Sequence, residues 1–323
     1  MHKQHPSERM GVFLSSNQKK MKYLRYTLPL LAAAVLFAAP AEMNATQIRL
    51  GPKSDPAKLK KTDEWIPLYD GIDFMRCEST APIQKVCILR IDTENKDLEF
   101  YTTGRHSDYK DEESETLRET TVDFLNENDM LAAVNANFYS PFNATTRTTR
   151  GPSNVIGLAI SDGVLVSTPD GTSSSFIVNS NGVKSIRDIH EEDSLDGIRT
   201  AVAGRPIILK DGEIVKQSDE SVHPRTAVGI SKDNRYVYFM TIDGRQVQSI
   251  GATLENEAKW LKKAGAWDGL NLDGGGSTTM VIRTPEGETK VLNSPIGNAN
   301  IKGYLRNNAN HIGVRKVKRT TDK

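Results

Sequence analysis

The sequence predicts an α+β fold with a mixed, largely antiparallel twisted sheet, packed helices and one βαβ crossover near the C-terminus. Three observations predict it. Short apolar runs in the middle of the chain are separated by Asp162-Gly163, Asn181-Gly182 and Asp211-Gly212, dipeptides that supply the positive φ of hairpin turns. Two helical patterns accompany these strands, and the second lies between two predicted strands in the C-terminal third.

The first 45 residues have the layout of a secretory signal peptide. A basic stretch, residues 19–25, precedes an apolar run, residues 28–39, and small residues after it offer cleavage sites. No run reaches the roughly 18 apolar residues that a spanning helix needs. Met21 starts a signal of ordinary layout, which leaves residues 1–20 as an upstream extension from a misplaced start. We therefore expect an exported protein, periplasmic or extracellular, with no stable membrane span after signal cleavage.

Composition and charge limit the function classes. The chain has 323 residues, with 42 Lys and Arg against 41 Asp and Glu. Removing residues 1–45 takes away six basic and two acidic residues, which leaves 36 against 39 and a net charge of minus 3. A nucleic-acid-binding protein normally has a basic stripe, so we expect no nucleic-acid partner. We expect a loose lead-in over residues 46–64 and one catalytic domain over residues 65–318.

The two cysteines, Cys77 and Cys87, leave two interpretations open. The chain between them is predicted to turn back as a hairpin, and an oxidising compartment permits a disulfide; two buried thiols are the alternative. The six histidines include no His-x-x-x-His pair, so we expect no zinc site. No cofactor is expected, while a divalent cation such as calcium or magnesium stays open.

Two stretches have helical patterns. The first covers residues 115–126 and follows an acidic run. The second covers residues 254–263, with Thr253 before it as a natural N-cap and Gly265 just past its end. The second pattern has both a start and a stop signal, so its bounds are the better defined.

The C-terminal third brings three charged groups together by connectivity. A predicted hairpin, residues 225–242, puts Arg225 opposite Ile242 and therefore at the end where Asp243 emerges. The second helix and a strand ending before Asp273 follow, and strand, helix, strand is a parallel crossover. We therefore expect Asp243 and Asp273 at the carboxyl ends of strands on the same edge of the sheet.

Residues 271–280 form an unusual run, Asn-Leu-Asp-Gly-Gly-Gly-Ser-Thr-Thr-Met. Three successive glycines lose much backbone entropy on folding, so a chain keeps them chiefly where positive φ or close approach to the backbone is needed. In the strand before them, Leu270 and Leu272 point one way, and Asn271 and Asp273 point the other way. The amide and the carboxylate are therefore expected on one face.

Glu257 faces partly inward on the second predicted helix, between the apolar stripe of that helix and Trp260. Inward acids are usually paired, so a salt bridge to an arginine at the edge of the core is one interpretation. A catalytic acid or a substrate ligand is the other.

A carboxylate, an arginine and bare glycine backbone together favour chemistry at a phosphate. Arginine grips phosphate oxygens with two hydrogen bonds, and successive amides of a glycine-rich turn form an anion-binding nest. No Gly-Lys-Ser/Thr follows the glycines, so the pattern is not that of a nucleotide P-loop. Paired carboxylates are typical of glycoside hydrolysis, and a phosphate leaving group needs little protonation because it departs as an anion.

Several motifs, in this order, resemble the phosphodiester glycosidase family. They are Asn135-Ala136-Asn137-Phe138-Tyr139, His223-Pro224-Arg225-Thr226-Ala227-Val228-Gly229, Asp243-Gly244-Arg245, Gly251-Ala252-Thr253-Leu254, Asn271-Leu272-Asp273-Gly274-Gly275-Gly276-Ser277-Thr278 and residues 306–310. The resemblance covers about residues 130–314. It implies hydrolysis of a sugar-1-phosphodiester at the anomeric carbon, releasing a sugar such as N-acetylglucosamine from a phosphorylated glycan.

The resemblance, taken with the predicted geometry, implies a set of site residues. The expected catalytic residues are Asp273, as general base or nucleophile, and Asp243 or else Glu257 as its partner. The expected substrate-binding residues are Asn135, Asn137, Arg225, Asn271, Gly274, Gly275, Gly276, Ser277, Thr278, Arg306 and Asn310. The two arginines are expected to grip the phosphate, and the glycine amides with the two hydroxyls to cradle it or a sugar hydroxyl.

Two other functions stay open. One is a non-catalytic module that binds envelope glycans and holds a sugar phosphate without cleaving it. The other is a metal-assisted phosphodiesterase, in which Asp243, Asp273 and Asn271 would supply oxygen ligands to calcium or magnesium.

Overall fold

The computed structural model describes residues 63–107 and 114–317. The predicted signal peptide, residues 1–45, and almost all of the predicted lead-in lie outside these residues. In the described part of the chain, antiparallel strands predominate and two α-helices accompany them. The predicted antiparallel sheet is therefore present, but helices contribute less than an α+β fold suggests. No helix in these two ranges is both long enough and apolar enough to cross a bilayer.

The elements have the following bounds. The helices are α1 (Thr121–Glu127) and α2 (Leu254–Ala264). The strands are β1 (Ile66–Tyr69), β2 (Ile72–Thr80), β3 (Ile83–Asp92), β4 (Leu98–Thr102), β5 (Thr116–Leu117), β6 (Ala132–Asn135), β7 (Tyr139–Ser140), β8 (Pro152–Val155), β9 (Ala159–Ser161), β10 (Val164–Ser167), β11 (Ser174–Asn179), β12 (Lys184–Asp188), β13 (Ile198–Gly204), β14 (Ile207–Lys210), β15 (Glu213–Ile214), β16 (Arg225–Ile230), β17 (Tyr236–Ile242), β18 (Asp268–Asn271), β19 (Met280–Arg283), β20 (Thr289–Val291) and β21 (His311–Lys316).

The core lies on both faces of an eight-stranded sheet with the order β1-β2-β3-β17-β16-β18-β14-β15. Phe239 and Met240 are neighbours on β17 and point to opposite faces, as alternation requires. Phe239 packs with Val134 and Phe176, which come from two five-stranded sheets, β20-β19-β6-β21-β4 and β10-β9-β13-β11-β12. Met240 packs with Leu261 of α2. The central sheet is therefore covered by sheets on one face and by a helix on the other.

The three predicted hairpin turns are confirmed. They join β9 to β10, β11 to β12 and β14 to β15. Asp162 and Gly163 have φ of 50° and 81°, and Asp211 and Gly212 have φ of 51° and 77°. These positive values are the ones that two-residue hairpin turns demand.

The predicted hairpin between the cysteines is also present, and of the two interpretations that the sequence left open, the structure has the two buried thiols. Strands β2 and β3 pair so that Cys77 lies opposite Val86, and Cys87 lies opposite Arg76. Successive residues of a strand point to opposite faces, so Cys77 packs on the α2 side of the sheet and Cys87 on the other side. The sheet itself separates the two buried thiols, and no disulfide joins them.

The second predicted helix is confirmed as α2, with its start and stop signals in use. The side chain of Thr253 accepts a hydrogen bond from the Asn256 amide, and Gly265 ends the helix in the left-handed region, with φ of 112°. The prediction of a first helix over residues 115–126 was wrong in its N-terminal half. Residues 116–117 form β5, which pairs with β8, and α1 begins only after Thr120 caps it. Strand pairing there overrides the local helical pattern.

The C-terminal third places two acids at one edge of the central sheet. Arg225 pairs with Ile242 in the β16–β17 ladder, as predicted. β18 pairs with the other side of β16, also antiparallel, so β17 and β18 run in the same direction with β16 between them. Helix α2 connects them. Asp243 and Asp273 follow the ends of these two strands and therefore emerge at the same edge.

Removing the cap of α2 should destabilise the whole domain. We expect Thr253→Ala to lower the free energy of unfolding by about 1 kcal/mol, because the Asn256 amide loses its acceptor. Thr253→Ser should stay within about 0.5 kcal/mol of the wild type, because it keeps the hydroxyl. Chemical denaturation measures both, and equal losses in the two variants would contradict the capping role.

Candidate active site

A cavity of about 330 Å³ opens at the edge of the sheet where β16 and β18 meet the triglycine loop. It is lined by Phe138, Phe142, Arg147, His223, Arg225, Arg245, Asn271, Leu272, Asp273, Gly274, Gly275, Gly276 and Arg306. Four of these residues are arginines, and Asp273 is the one carboxylate among them. The cavity is therefore strongly cationic around a single acid.

Each glycine of the loop has its own structural reason. A Cβ on Gly274 would lie 2.7 Å from the Pro224 carbonyl oxygen, and Gly275 has φ of 61°. A Cβ on Gly276 would overlap the guanidinium of Arg306. The loop thus lets the backbone pass close to β16 and lets Arg306 reach the cavity, as only residues without side chains can.

The amides of this loop bond mainly within the protein, which differs from the predicted phosphate cradle. The Gly275 amide donates to the Pro224 carbonyl at 2.8 Å, and the Ser277 amide donates to Gly274 at 3.1 Å. The Gly274 amide donates to the carboxylate of Asp273. These amides therefore order the loop and its acid, and guanidinium groups line the cavity around them.

Asp273 is partly buried, and desolvation of its carboxyl raises the pKa to about 6. The Ser277 hydroxyl, the Arg306 charge and the Gly274 amide act in the opposite direction and lower that pKa. The carboxylate is consequently ionised for the most part at neutral pH, yet more basic than an exposed aspartate.

Asn135 fixes the main chain of Asp273 rather than facing the cavity. Its Nδ2 donates to the Asp273 carbonyl at 2.5 Å, and its Oδ1 accepts from the Thr226 hydroxyl at 2.9 Å and the Thr279 amide at 3.1 Å. The Asp273 amide donates to Ala136 at 2.9 Å. One fully buried amide side chain thus ties β6, β16 and the triglycine loop together.

Arg225 and Arg306 line the cavity as predicted, and both side chains are held by main-chain oxygens. Arg225 donates from Nε to Ala252 at 3.0 Å and from Nη2 to Ser221 at 2.9 Å. Arg306 donates from Nε to Gly297 at 2.8 Å and from Nη1 to the Ser277 hydroxyl. Each residue is only 7% exposed, so both guanidiniums are rigid donors at the inner end of the cavity.

Arg245 and Arg147 add two cations nearer the solvent. Arg245 donates to Nδ1 of His223 at 3.0 Å, and Arg147 stacks on the ring of Phe142 at 4.5 Å, the same ring that Arg306 contacts at 5.0 Å. An arginine can only donate, so the proton of the neutral imidazole is on Nε2. Burial and the charges of the neighbouring arginines lower the pKa of His223, which keeps it neutral.

Asp243 is not part of the cavity lining, although it emerges at the predicted edge. Its carboxylate accepts from the Ser294 amide at 2.7 Å and from Asn293 Nδ2 at 3.2 Å. Burial raises its pKa. The side chain therefore fastens the 293–294 turn to the end of β17, and the predicted convergence of Asp243 with Asp273 and Asn271 on one metal ion is not present. In the described ranges, no three His, Cys, Asp or Glu side chains group as metal ligands.

Glu257 is fully buried on α2 and is also outside the cavity lining. Neither carboxylate oxygen has a hydrogen-bond partner among the described residues, and no ion pair to an arginine forms there. Burial raises its pKa to about 8, with the charge of Arg225 acting in the opposite direction. Glu257 is therefore protonated at neutral pH.

The remaining predicted ligands divide into two groups. Asn271 lines the cavity, with Nδ2 bound to the Arg205 carbonyl and Oδ1 buried without a partner among the described residues. Asn137 is buried and bonds to three main-chain groups, Ile156, Leu158 and Ala203. Asn310 accepts from the Thr102 hydroxyl, and neither Asn310 nor Thr278 lines the cavity. Asn137 and Asn310 therefore hold strands in place.

Comparison with known proteins agrees with this arrangement. The sequence profile of the phosphodiester glycosidase family matches residues 128–315, more than half of the chain. The chain belongs to this family. A second similarity, to the SPbeta prophage-derived uncharacterized protein YomE of Bacillus subtilis strain 168, has 26% identity over 193 residues. It covers 55% of this chain but only 28% of that protein.

Solved structures share the fold of the family. The catalytic domain of zebrafish N-acetylglucosamine-1-phosphodiester alpha-N-acetylglucosaminidase, auto-inhibited by its pro-peptide, is similar with a TM-score of 0.58 and 20% identity. The match covers 76% of this chain and 82% of that one. A hypothetical protein from Synechocystis is similar with a TM-score of 0.53 and 14% identity, over 78% and 63% of the two chains. At these identities the likeness concerns the fold alone.

Sequence reasoning missed Arg147, Arg245, His223, Phe138 and Phe142 as cavity residues. Three of them stand inside motifs by which the chain resembles the family, so their signal was present. Arg147 and Phe142 lie in a loop, residues 141–151, that has no strand or helix pattern. Only the fold shows that this loop turns back over the triglycine loop.

Two glycine substitutions should have opposite effects on stability. We expect Gly276→Ala to lower the free energy of unfolding by about 1–3 kcal/mol, because its methyl group overlaps Arg306. Gly104→Ala should raise it by about 0.4–1 kcal/mol, because a Cβ there meets nothing closer than 3.4 Å and the φ is not positive. Denaturant titration measures both changes, and an unchanged Gly276→Ala protein would mean that the loop and Arg306 are not in contact.

Proposed function

We propose that this protein is an exported hydrolase that cleaves a sugar-1-phosphodiester at its anomeric carbon and releases a sugar such as N-acetylglucosamine from a phosphorylated glycan. The observation that carries the proposal is the cavity in which one partly buried carboxylate, Asp273, lies among four arginines. Guanidinium groups suit phosphate oxygens, and the carboxylate supplies a base or nucleophile beside them. Membership of the phosphodiester glycosidase family supports glycosidase chemistry.

In the proposed reaction, Asp273 either attacks the anomeric carbon, forming a glycosyl ester that water then hydrolyses, or takes a proton from the water that attacks that carbon. The bond between that carbon and the bridging oxygen breaks, and its electron pair stays on the oxygen, which leaves as part of a phosphate monoester. Arg225 and Arg306 stabilise the charge that develops on this phosphate. The released phosphate is a stable anion, so no second carboxyl group has to protonate it.

This chemistry fits a cavity with one acid better than it fits ordinary glycoside hydrolysis. An alcohol leaving group needs a protonated carboxyl group beside it. Asp243 and Glu257, the two predicted partners of Asp273, both lie outside the cavity lining. We therefore assign them structural roles in this proposal, Asp243 in the 293–294 turn and Glu257 as a neutral group beneath Arg225.

Asn271 is the proposed ligand of a sugar hydroxyl. Its Oδ1 is buried in the cavity wall without a partner among the described residues, and an unsatisfied buried acceptor costs about 1–3 kcal/mol. Its Nδ2 is bound to the Arg205 carbonyl, which orients the oxygen. A hydroxyl of the bound sugar would satisfy it.

Two conservative substitutions separate Asp273 from Glu257. We expect Asp273→Asn to lower the rate of sugar release from a methyl phosphodiester of N-acetylglucosamine by at least about a hundredfold, since a general base or nucleophile is lost. Glu257→Gln should stay within about threefold of the wild type, because glutamine resembles the protonated carboxyl.

The measurement is steady-state release of the sugar, with circular dichroism as the control for folding. A large loss in Glu257→Gln would make Glu257 the missing partner acid. If Asp273→Asn turns over as fast as the wild type, the proposed mechanism is contradicted. Tight binding of the diester by the wild type with no turnover would favour the glycan-binding module instead.

The pH dependence of kcat/KM should follow the carboxyl of Asp273. Its pKa is about 6 and the ionised form is the active one, so the rate should rise from pH 5 to pH 7 and then level off. The charge of Arg306 lowers that pKa, so Arg306→Gln should move the rising limb to higher pH. Arg187→Gln, at an exposed position of β12, is the control for lost charge and should leave the limb in place.

A further inference from the structure

The cavity has more positive charge than one phosphodiester neutralises. Its lining holds four arginines and one carboxylate. A phosphodiester carries a single negative charge, so with Asp273 ionised two positive charges still have no counterpart. An excess of this size inside a partly desolvated cavity is unfavourable unless a ligand supplies the missing charge.

The protein does not neutralise these arginines itself. Among the described residues, none of Arg147, Arg225, Arg245 and Arg306 forms an ion pair with a carboxylate. Main-chain oxygens and the ring of Phe142 hold Arg147, Arg225 and Arg306 instead, and the imidazole of His223 holds Arg245. Their mutual repulsion is apparent at Arg245, where burial and the charges of Arg147 and Arg225 lower the pKa.

The four guanidiniums occupy two levels of the cavity. Arg225 and Arg306 form the inner level and are almost fully buried, and the charge of Arg306 acts on Asp273. Arg147 and Arg245 form the outer level, with Arg147 half-buried and Arg245 exposed.

The two levels meet along the triglycine loop. Arg306 lies against the Cβ position of Gly276, and a guanidinium nitrogen of Arg245 lies 3.5 Å from the Cβ position of Gly275. Consecutive Cα atoms are only about 3.8 Å apart. An inner and an outer cation therefore lie against neighbouring residues of one loop, and Arg147 and Arg306 also share the ring of Phe142. One ligand with two neighbouring anionic groups can therefore meet both levels.

We propose that the substrate carries a second phosphate on its aglycone side, bound by Arg245 and Arg147 while the inner pair binds the phosphate at the anomeric carbon. This inference rests on the proposed function, since it assigns the inner level to the scissile phosphodiester. Two compounds share the required chemistry: a sugar diphosphate ester, and a polymer of successive phosphodiesters. They differ in the spacing between the two charges.

Sugar-free anions test the proposal without relying on turnover. The probes are dimethyl phosphate, P1,P2-dimethyl diphosphate and 1,3-propanediol bis(methyl phosphate), titrated calorimetrically into the full chain at fixed ionic strength. We expect at least one of the doubly charged probes to bind about tenfold or more tightly than dimethyl phosphate, the effect of one additional charge-assisted hydrogen bond. Whichever of the two binds more tightly identifies the spacing, and so the source, of the second phosphate.

Two variants show whether the tighter binding of doubly charged probes depends on the outer level. Arg245→Gln should remove most of the preference for the doubly charged probe while weakening dimethyl phosphate binding much less. Arg187→Gln, an exposed arginine on β12, removes the same charge elsewhere and should keep the preference. Thermal unfolding confirms that both variants are folded.

The proposal is overturned if singly and doubly charged probes bind equally, if Arg245→Gln weakens both to the same extent, or if no probe binds. Its failure is distinguishable from failure of the proposed function, because the probes contain no sugar. If the protein releases the sugar but does not prefer doubly charged probes, the proposed glycosidase activity is retained and only the proposed second phosphate is rejected.

Discussion

The partly buried carboxylate of Asp273 is the group on which the rest of the site depends. Removing a carboxylate from water has an effective penalty of several kcal/mol, and here a hydroxyl, an amide and the guanidinium of Arg306 offset part of it. Arg306 can approach only because Gly276 has no side chain, and the loop can pass close to Pro224 only because Gly274 has none. Asn135 then holds the main chain of Asp273 from the far side. As a result, the carboxyl of Asp273 is ionised for the most part at neutral pH and is more basic than that of an exposed aspartate.

The arginines around this acid are oriented without being neutralised. Several other arginines are paired with acids, as Arg235 is with Asp92 at 2.7 Å and Arg315 with Glu99 at 2.8 Å. Around the cavity, carbonyl oxygens, an aromatic ring and the His223 imidazole take that role, which fixes the guanidinium planes while their charge remains available. An entering anion therefore breaks no ion pair, and the donors are already in position when charge moves onto the leaving oxygen.

Local pattern predicted the elements that carry Asp273 and Arg225. Hairpin register put Arg225 opposite Ile242, and strand alternation put Asn271 and Asp273 on one face. The start and stop signals of α2 were read from Thr253 and Gly265. Each of these features depends on residues close in sequence, for which turn chemistry and periodicity are sufficient.

The features of the fold and of the site that the sequence did not predict depend on contacts between residues far apart in the chain. Asp243 emerges at the predicted edge, but its side chain turns to the 293–294 amides, which nothing in its own neighbourhood indicates. The two cysteines close a real hairpin, yet a register offset of one residue puts them on opposite faces. Arg147 and Phe142 come from a loop without a pattern, and β5 forms where a helix was predicted because β8 is available to pair. Tertiary packing decided each of these outcomes.

The most direct test of the account is the position of bond cleavage. Hydrolysis of an N-acetylglucosamine-1-phosphodiester in water labelled with oxygen-18 should give an unlabelled phosphate monoester, because the bond that breaks joins the anomeric carbon to the bridging oxygen. Mass spectrometry of the phosphate product is the appropriate readout, since a free sugar exchanges its anomeric oxygen with water. Label in the phosphate would mean that the bond between phosphorus and oxygen breaks, and would contradict the assignment of Asp273 to the anomeric carbon.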